Sequence, residues 1–223
     1  NDGGVYYSSN VGNASNPSFA ARNNGYNVTQ FYGADQVNTA GSNFMIAGAQ
    51  DNGSHRFTGS GINSTTEVTG GDGAFCHIDQ LNSTYQFTQY VYNSFYRSTN
   101  GGSSFSPILQ NQSYGRFINP TDYDDNAKVM YSAANTDQYI YLDNLTGTNG
   151  AFLSNVNLNG FQASAIKVSP YTNNRIFIGT GTAGSSGGSA VFRIDNAASN
   201  SATSTQISTS SLPGNGYISS IDI

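Results

Sequence analysis

The sequence predicts an all-β fold, a β-propeller built of four-stranded antiparallel blades, and three observations support this prediction. One polar hairpin, YRSTNGGSSF from Tyr96, has the residue types of a tight β-turn between two strands. Pairs of short apolar segments joined by polar turns recur at intervals of roughly 40–55 residues. No segment shows a sustained helical period, and 26 glycines interrupt apolar runs of five to eight residues.

Four segments carry the recurring pattern of strand, polar turn and second strand. They are FYGADQVNTAGSNFMIAGAQ from Phe31, GAFCHIDQLNSTYQFTQ from Gly73, GRFINPTDYDDNAKVMYSA from Gly115 and SAIKVSPYTNNRIFIGTG from Ser164. Aligning Ala34, Ile78, Ile118, Val168 and Ile223 predicts one domain, 1–223, with repeats 27–72, 73–114, 115–163 and 164–216 and another starting at 217. A β-sandwich or a β-solenoid is the alternative, because both also use short, evenly spaced strands.

A third strand follows in each unit, in the strings VYYSSN, FYRSTN, YIYLDN and VFRIDN. In the second of these we expect the side chains of Ser98 and Asn100 to bond turn backbone. Gly101 and Gly102 permit positive φ, and Phe105 returns to the core. This hairpin has a structural role and no chemistry.

The chain holds about four to five blades, whereas closed propellers commonly have more. We therefore expect part of a larger propeller, completed by the remainder of a longer polypeptide or by a partner chain. The sequence starts without an initiator Met or a leader and within an apparent blade. Open sheet edges would otherwise favour aggregation.

Composition excludes several functional classes. The net charge is −5, with eight scattered basic residues, which argues against nucleic-acid binding, and no apolar run reaches transmembrane length. The single cysteine, Cys76, lies in an apolar strand and is predicted to be a packed thiol. No cofactor is predicted. Asp122, Asp124 and Asp125 in DYDDN are calcium candidates through their oxygen ligands, although the segment lacks the glycine and distal glutamate of an EF-hand loop.

The chain resembles the Asp-box, or BNR-repeat, propellers, which include sialidases, xyloglucan-cleaving glycoside hydrolases and sortilin-type receptors. The octet Ser98, Asn100, Gly102 and Phe105 carries the motif. The strings NDGGVYYSSN, IAGAQDNGSHRF, GGDGAFCHID and YRSTNGGSSF are similar to those of secreted bacterial surface proteins of the Bacteroidetes type. The resemblance covers residues 1–105 well and the remainder through the blade pattern, and it implies an extracellular or cell-surface location.

The resemblance also implies a catalytic alternative. A sialidase would need three arginines and a Tyr–Glu pair, but Glu67 is the only glutamate and has no evident tyrosine partner. A xyloglucanase-like enzyme would use two aspartates, and Asp2 and Asp72 stand beside paired glycines in this way. They would act as general acid and base across a sugar. In that family the two aspartates come from separate propeller domains, so the competing interpretation is that both cap glycine-rich turns.

A binding role is the preferred prediction. The chain has 15 Tyr and 13 Phe, and tyrosine stacks on sugar faces while donating a hydrogen bond. Most of these rings are expected to pack between blades. Asp51, Asn52, His55 and Arg56 are predicted to form a polar, ligand-facing loop, or else a hydrogen-bonded turn. The sequence thus predicts a secreted scaffold or recognition module for a glycan or an extracellular protein, with a glycoside hydrolase as the alternative.

Overall fold

The computed structural model describes residues 4–13, 15–25, 29–61, 65–181, 189–208 and 216–223. Within these ranges the chain forms β-strands joined by turns and contains no α-helix. No helix long and apolar enough to cross a membrane occurs in the described part. The all-β prediction is confirmed.

A two-stranded hairpin is followed by four four-stranded sheets. The hairpin consists of β1 (Tyr6–Tyr7) and β2 (Ala20–Ala21). The first sheet contains β3 (Phe31–Gln36), β4 (Met45–Ala49), β5 (Gly53–Phe57) and β6 (Thr66–Thr69). The second contains β7 (Cys76–Ile78), β8 (Gln86–Gln89), β9 (Asn93–Ser98) and β10 (Ser106–Asn111). The third contains β11 (Thr121–Asp124), β12 (Val129–Ala133), β13 (Gln138–Asp143) and β14 (Gly150–Asn155). The fourth contains β15 (Ala163–Val168), β16 (Arg175–Thr180), β17 (Val191–Asp195) and β18 (Thr203–Gln206).

Each four-stranded sheet is an antiparallel meander in which neighbours in sequence are neighbours in space. This is the predicted blade. Because the strands alternate in direction, the turns between second and third strands lie at the same end as the connections between sheets. We call that end the upper face, formed by turns 50–52, 90–92 and 134–137 and by connections 70–75, 112–120 and 156–162. The opposite end is the lower face.

Strand pairing corrects the alignment of the repeats. In each sheet, one residue of the first strand pairs with the residue that directly precedes a large apolar residue of the second strand. These equivalent residues are Gln36, Ile78, Tyr123 and Val168. Tyr123 therefore occupies the position that the sequence pattern assigned to Ile118, and Gln36 the position assigned to Ala34. The pattern was misleading because Ile118 belongs to the connection before β11, whose apolar residues resemble a strand.

The hydrophobic core lies between successive sheets. Ile46 of the first sheet packs with Cys76 and Ile78 of the second. The second and third sheets enclose Phe87, Phe95 and Leu142, and the third and fourth enclose a larger cluster of aromatic and branched side chains. Stacking of sheets face to face is how a propeller buries both faces of each blade.

Cys76 is a core thiol, as predicted. It is 3% exposed and its Sγ lies 3.8 Å from Ser54 Oγ. Burial raises the pKa of the thiol to about 12. The thiolate is the reactive form of cysteine, so the native chain presents no reactive thiol at neutral pH.

Candidate functional site

The hairpin after β9 shows the contacts predicted for it. Ser98 Oγ accepts hydrogen bonds from the backbone amides of Asn100, at 3.3 Å, and Gly102, at 2.9 Å. Asn100 Oδ1 accepts from the Ser104 amide at 3.0 Å. Gly101 and Gly102 have φ of 68° and 76°, in the left-handed region. The hairpin lies on the lower face and is a rigid turn.

Asp72 lies on the upper face in a turn between the first and second sheets. Its Oδ1 accepts a hydrogen bond from the Asp51 amide at 3.0 Å. Around it the Gly53 amide donates to the Gly71 carbonyl at 2.7 Å, and the Gly73 amide donates to the Ala49 carbonyl at 2.8 Å. Asp72 thus caps a glycine-rich turn, which is the competing interpretation of this residue. Asp2, its predicted catalytic partner, lies outside the described residues.

The segment 51–56, predicted to be a polar loop, forms a turn only at its start and continues as a strand. Asp51 and Asn52 lie in the turn, whereas His55 and Arg56 belong to β5 and pair with Ala47 and Ile46. Successive residues of a strand point to opposite faces. The four polar side chains are therefore not brought to one surface.

His55 and Arg56 have separate partners. His55 Nδ1 lies 2.8 Å from Thr65 Oγ1, and its Nε2 lies 2.5 Å from the Asn52 carbonyl oxygen. Arg56 Nη1 donates to the Gly102 carbonyl at 2.9 Å, in the next sheet. Arg56 consequently links two blades.

An aromatic group on the upper face escaped the sequence analysis. Tyr92 and Phe117 form an edge-to-face pair with centroids 5.9 Å apart and planes at 89°. Phe117 is 45% exposed, and Tyr90 and Tyr92 are half-buried. A β-carbon added to Gly71 would lie 2.7 Å from the Tyr90 ring, so this ring contacts the Asp72 turn. We call Tyr90, Tyr92 and Phe117 the aromatic surface.

Backbone contacts hold the aromatic surface in place. The Tyr92 amide donates to the Phe117 carbonyl at 3.0 Å, and Gln89 Nε2 donates to the Tyr92 carbonyl at 2.7 Å. Tyr92 has φ of 53°, a conformation that costs energy for a tyrosine and persists because the tight turn between β8 and β9 requires it. Strain of this kind is often found at functional sites.

A buried polar network fixes the connection that carries Phe117. Asn119, Asn93 and Ser132 are each 0% exposed. Asn119 Oδ1 accepts from the Arg116 amide at 2.8 Å, while its Nδ2 donates to Ser132 Oγ at 2.8 Å and to the Ala133 carbonyl at 2.9 Å. Ser132 Oγ in turn donates to Asn93 Oδ1 at 2.6 Å. Every side-chain amide in the network has a partner.

Asn93 and Arg116 extend this support to neighbouring segments. Asn93 Nδ2 donates to the Tyr114 carbonyl at 3.0 Å. Arg116 Nε donates to the Ala163 carbonyl at 2.8 Å and its Nη2 to the Gly181 carbonyl at 2.6 Å. Burial lowers the pKa of Arg116. The aromatic surface therefore rests on a connection tied to the second, third and fourth sheets.

The first strands of the four sheets line one cavity of about 710 Å³, which residues 219–223 also border. At one register position, the first strand of each four-stranded sheet carries an ionisable residue. These residues are Asp35, His77, Asp122 and Lys167. Asp35 Oδ2 accepts from the Ile78 amide at 2.6 Å, and Asp122 Oδ2 from the Val168 amide at 2.7 Å. These carboxylates join the first sheet to the second and the third sheet to the fourth.

The electrostatics of the cavity follow from partial burial. Removal from water raises the pKa of Asp35 and lowers the pKa of His77, whose Nε2 lies 2.8 Å from Thr121 Oγ1. Lys167 Nζ lies 3.4 Å from Asp122 Oδ2. Acidic and basic groups therefore alternate around the cavity.

Each of the three calcium candidates accepts hydrogen bonds from different backbone amides. Asp122 bonds the fourth sheet, as above. Asp124 Oδ1 accepts from the amides of Asn126 and Ala127, both at 2.9 Å, and Asp125 Oδ1 accepts from the Gln80 amide at 2.6 Å. Across the described ranges, no three His, Cys, Asp or Glu side chains are grouped so that they could hold a metal ion.

Asp125 gives a pH-dependent prediction. Burial, with Asp79 and Asp35 nearby, raises the pKa of Asp125 from its ordinary value of 3.8 to about 6, although the Gln80 amide and Lys128 oppose this. Between these two pH values the folded state holds a proton that the unfolded state has lost, so stability falls as pH rises through about 6. Asp125→Asn keeps a side-chain oxygen that can accept from the Gln80 amide, and it removes this loss of stability at higher pH.

For Asp125→Asn we expect a gain in unfolding free energy of about 1 kcal/mol at pH 7.5 relative to pH 4.5, a value discounted for its partial exposure. Denaturant unfolding of both proteins at the two pH values measures the difference. Ionisable groups that do not interact with Asp125 titrate alike in both proteins, so their contributions to the difference cancel. An equal gain at both pH values would contradict the assignment.

No protein-family model matches the chain, and no curated protein matches it. In structure it is similar to an ancestral GH74 enzyme, with a TM-score of 0.61 at 16% identity over 83% of this chain and 26% of the enzyme. It is also similar to the GH74 xyloglucanase from Xanthomonas campestris, with a TM-score of 0.53 at 12% identity over 74% of this chain and 28% of the enzyme.

A third likeness is to a chain of the mitotic checkpoint complex, with a TM-score of 0.52 at 12% identity over 74% of this chain and 48% of that one. The chain spans about a quarter of the length of the two GH74 enzymes. At these identities the likeness concerns the fold alone. Taken with the four meander sheets around one cavity, it identifies the chain as a β-propeller.

Proposed function

We propose that the chain is an extracellular recognition module that binds carbohydrate at the upper face through the aromatic surface. The observation that carries this proposal is the exposed Phe117 ring standing against Tyr92, beside Tyr90 and the Asp72 turn. Flat rings flanked by amide, hydroxyl and carboxylate groups suit sugars, whose faces are apolar and whose edges are polar.

The rigid support of this surface also favours recognition. The buried network of Asn119, Asn93 and Ser132 holds the Phe117 connection, and the Tyr92 turn is strained. A preorganised surface loses little entropy when it binds. The GH74 likeness supports xyloglucan as the first carbohydrate to try. Further chain or a partner would complete the propeller, and a protein partner is the second class of ligand.

The test is affinity electrophoresis in gels with and without xyloglucan. We expect xyloglucan to retard the wild-type chain and Phe117→Ala or Tyr92→Ala to bind about fivefold more weakly, since an aromatic contact contributes roughly 0.5–1.5 kcal/mol. Tyr171→Ala is the matched control, because this tyrosine is 85% exposed in a lower-face turn. Equal retardation of all four proteins would place binding elsewhere.

The same samples test the hydrolase alternative. Asp72 is the described member of the predicted catalytic pair, and it lies beside the Tyr90 ring. If the wild-type chain releases reducing ends from xyloglucan and Asp72→Asn does not, the function is glycoside hydrolysis rather than binding. Retardation without release of reducing ends is the result that our proposal predicts.

A further inference from the structure

Asp79 and Lys128 bring a carboxyl group and an amine into direct contact between two blades. Asp79 follows β7 of the second sheet, and Lys128 precedes β12 of the third, 49 residues later in the sequence. Lys128 Nζ lies 2.5 Å from Asp79 Oδ2 and 2.8 Å from its Oδ1. Because the amine reaches both oxygens, it also lies against the carbon between them. Groups held in such an arrangement react far faster than the same groups free in solution.

The surroundings of the Asp79 carboxyl group favour attack on its carbon. Oδ1 accepts hydrogen bonds from the backbone amides of Leu81 and Asn82, at 2.9 and 3.0 Å. Two amides directed at one oxygen form an oxyanion hole, which stabilises the negative charge that develops when a nucleophile adds to the carbon. Oδ2 accepts from the Tyr123 hydroxyl at 3.0 Å. The second oxygen therefore has a hydrogen-bond donor on it when it leaves.

Burial keeps bulk water away from this contact. Asp79 is 0% exposed and Tyr123 is 6% exposed, while the side chain of Lys128 is 23% exposed. A site without water protects a reacting pair from hydrolysis. Transfer of one proton from Nζ to Oδ2 along their short contact gives a neutral amine and a neutral acid, which are the forms that condense.

Asp125 is a second carboxyl group placed to move protons at this site. Burial, together with the charges of Asp79 and Asp35, raises its pKa to about 6, and the charge of Lys128 opposes this rise. Its Oδ1 accepts at 2.6 Å from the amide of Gln80, the residue after Asp79. A carboxyl group whose pKa lies near neutral pH is suited to accept a proton and to return it.

The backbone at Lys128 shows that the turn itself does not select a lysine. Lys128 has φ of 58°, in the left-handed region. The residue directly before the second strand of the fourth sheet is Asn174, with φ of 56°. Asparagine adopts this conformation several times more readily than most other residues. The contact with Asp79 is therefore the feature that accounts for a lysine at this position.

We propose that Asp79 and Lys128 condense to an isopeptide bond that links the second and third blades covalently. Nζ attacks Cγ of Asp79, so that a C–N bond forms and the C–Oδ2 bond breaks. The ammonium group gives up two protons, one directly to Oδ2 and one through Asp125, and both leave with Oδ2 as one water. No oxidant or further reactant is needed. Until the bond forms, the two groups are held as an ion pair.

Such a bond has a clear structural role in this chain. The sequence has a single cysteine, so no disulfide can form within it. An amide between side chains 49 residues apart would restrict the unfolded chain as a disulfide does. It would keep the second and third blades joined even when the chain is denatured.

Mass spectrometry of the intact chain, incubated in the folded state at neutral pH, tests the reaction. We expect a mass lower by one water than that of the sequence, and a proteolytic fragment that joins residues 79 and 128. Asp79→Asn should lose one ammonia instead, because its side-chain nitrogen then leaves. Lys128→Arg keeps a cation without a primary amine and should retain its full mass. Full mass in the wild-type chain after prolonged incubation, or loss of water at Asp79 in Lys128→Arg, would overturn the proposal.

Two further variants test the specificity of the reaction and the proton carrier. Lys167→Arg is the matched control, because this lysine lies 3.4 Å from Asp122 in a more exposed pair. It should still lose one water. Asp125→Asn should slow the condensation about hundredfold, as expected for loss of a general base. The wild-type rate should rise as pH rises through about 6, and this rise should disappear in Asp125→Asn. An unchanged rate and pH profile would overturn the role of Asp125.

Discussion

Replacing Asp79 with alanine is expected to cost about 3–5 kcal/mol of unfolding free energy, the range for breaking a buried ion pair. Asp79 is 0% exposed. Lys128 Nζ lies 2.5 Å from its Oδ2 and 2.8 Å from its Oδ1. The Tyr123 hydroxyl donates to Oδ2 at 3.0 Å, and the amides of Leu81 and Asn82 donate to Oδ1 at 2.9 and 3.0 Å.

The alanine variant leaves each of these donors without its acceptor. Tyr123 is 6% exposed, and burial followed by the nearby Asp79 charge raises its pKa, so it remains a protonated donor. Lys128 also loses its counter-ion. Because Asp79 follows β7 and Lys128 precedes β12, the lost contacts join the second and third sheets. The variant should therefore unfold as a whole rather than locally.

Denaturant unfolding measures this effect. Asp222→Ala is the matched control, because Asp222 is exposed and its carboxylate accepts from the adjacent Ile223 amide at 3.1 Å. We expect a change within about 0.5 kcal/mol for the control. A loss below about 1 kcal/mol for Asp79→Ala would show that the ion pair does not hold the two sheets together.

Asn119→Ala is expected to cost about 2–4 kcal/mol and to weaken carbohydrate binding as well. The substitution removes three hydrogen bonds and leaves the Arg116 amide, Ser132 and the Ala133 carbonyl without this partner. The freed connection carries Phe117, so the aromatic surface should lose its fixed geometry.

Two comparisons make this prediction specific. Asn126→Ala, at an exposed asparagine in the turn after β11, should change stability by less than about 0.5 kcal/mol. Because Asn93 shares the network through Ser132, the double variant Asn93→Ala, Asn119→Ala should lose less than the sum of the single losses. Additive losses would mean that the two asparagines act independently.

The fold was predictable because its signals are local. Glycines and polar turns separate short apolar strands, and the Ser98 hairpin depends on side chains within four residues of one another. The N-terminal hairpin was harder to recognise, since four additional residues separate Asn10 from its Ser18 partner. The inserted residues hide the motif from pattern matching, although the bonds between the serine and the asparagine and from the later serine amide to the asparagine are kept.

The candidate site was less predictable because it depends on strand pairing and on contacts between sheets. Tyr90 and Tyr92 lie in an apolar run and look like core residues, yet the tight turn between β8 and β9 brings them to the upper face. Phe117 meets Tyr92 from the connection between the second and third sheets. Conversely, His55 and Arg56 look like loop residues, but β5 starts at Gly53 and directs them to opposite faces.

The most direct test of the central claim is a crystal structure of the chain with a xyloglucan oligosaccharide. We predict sugar density on the upper face, with one ring lying on Phe117 and contacts to Tyr92 and the Asp72 turn. A sugar bound in the cavity bordered by Asp35 and Lys167, or no bound sugar at concentrations that retard the protein in gels, would contradict the account.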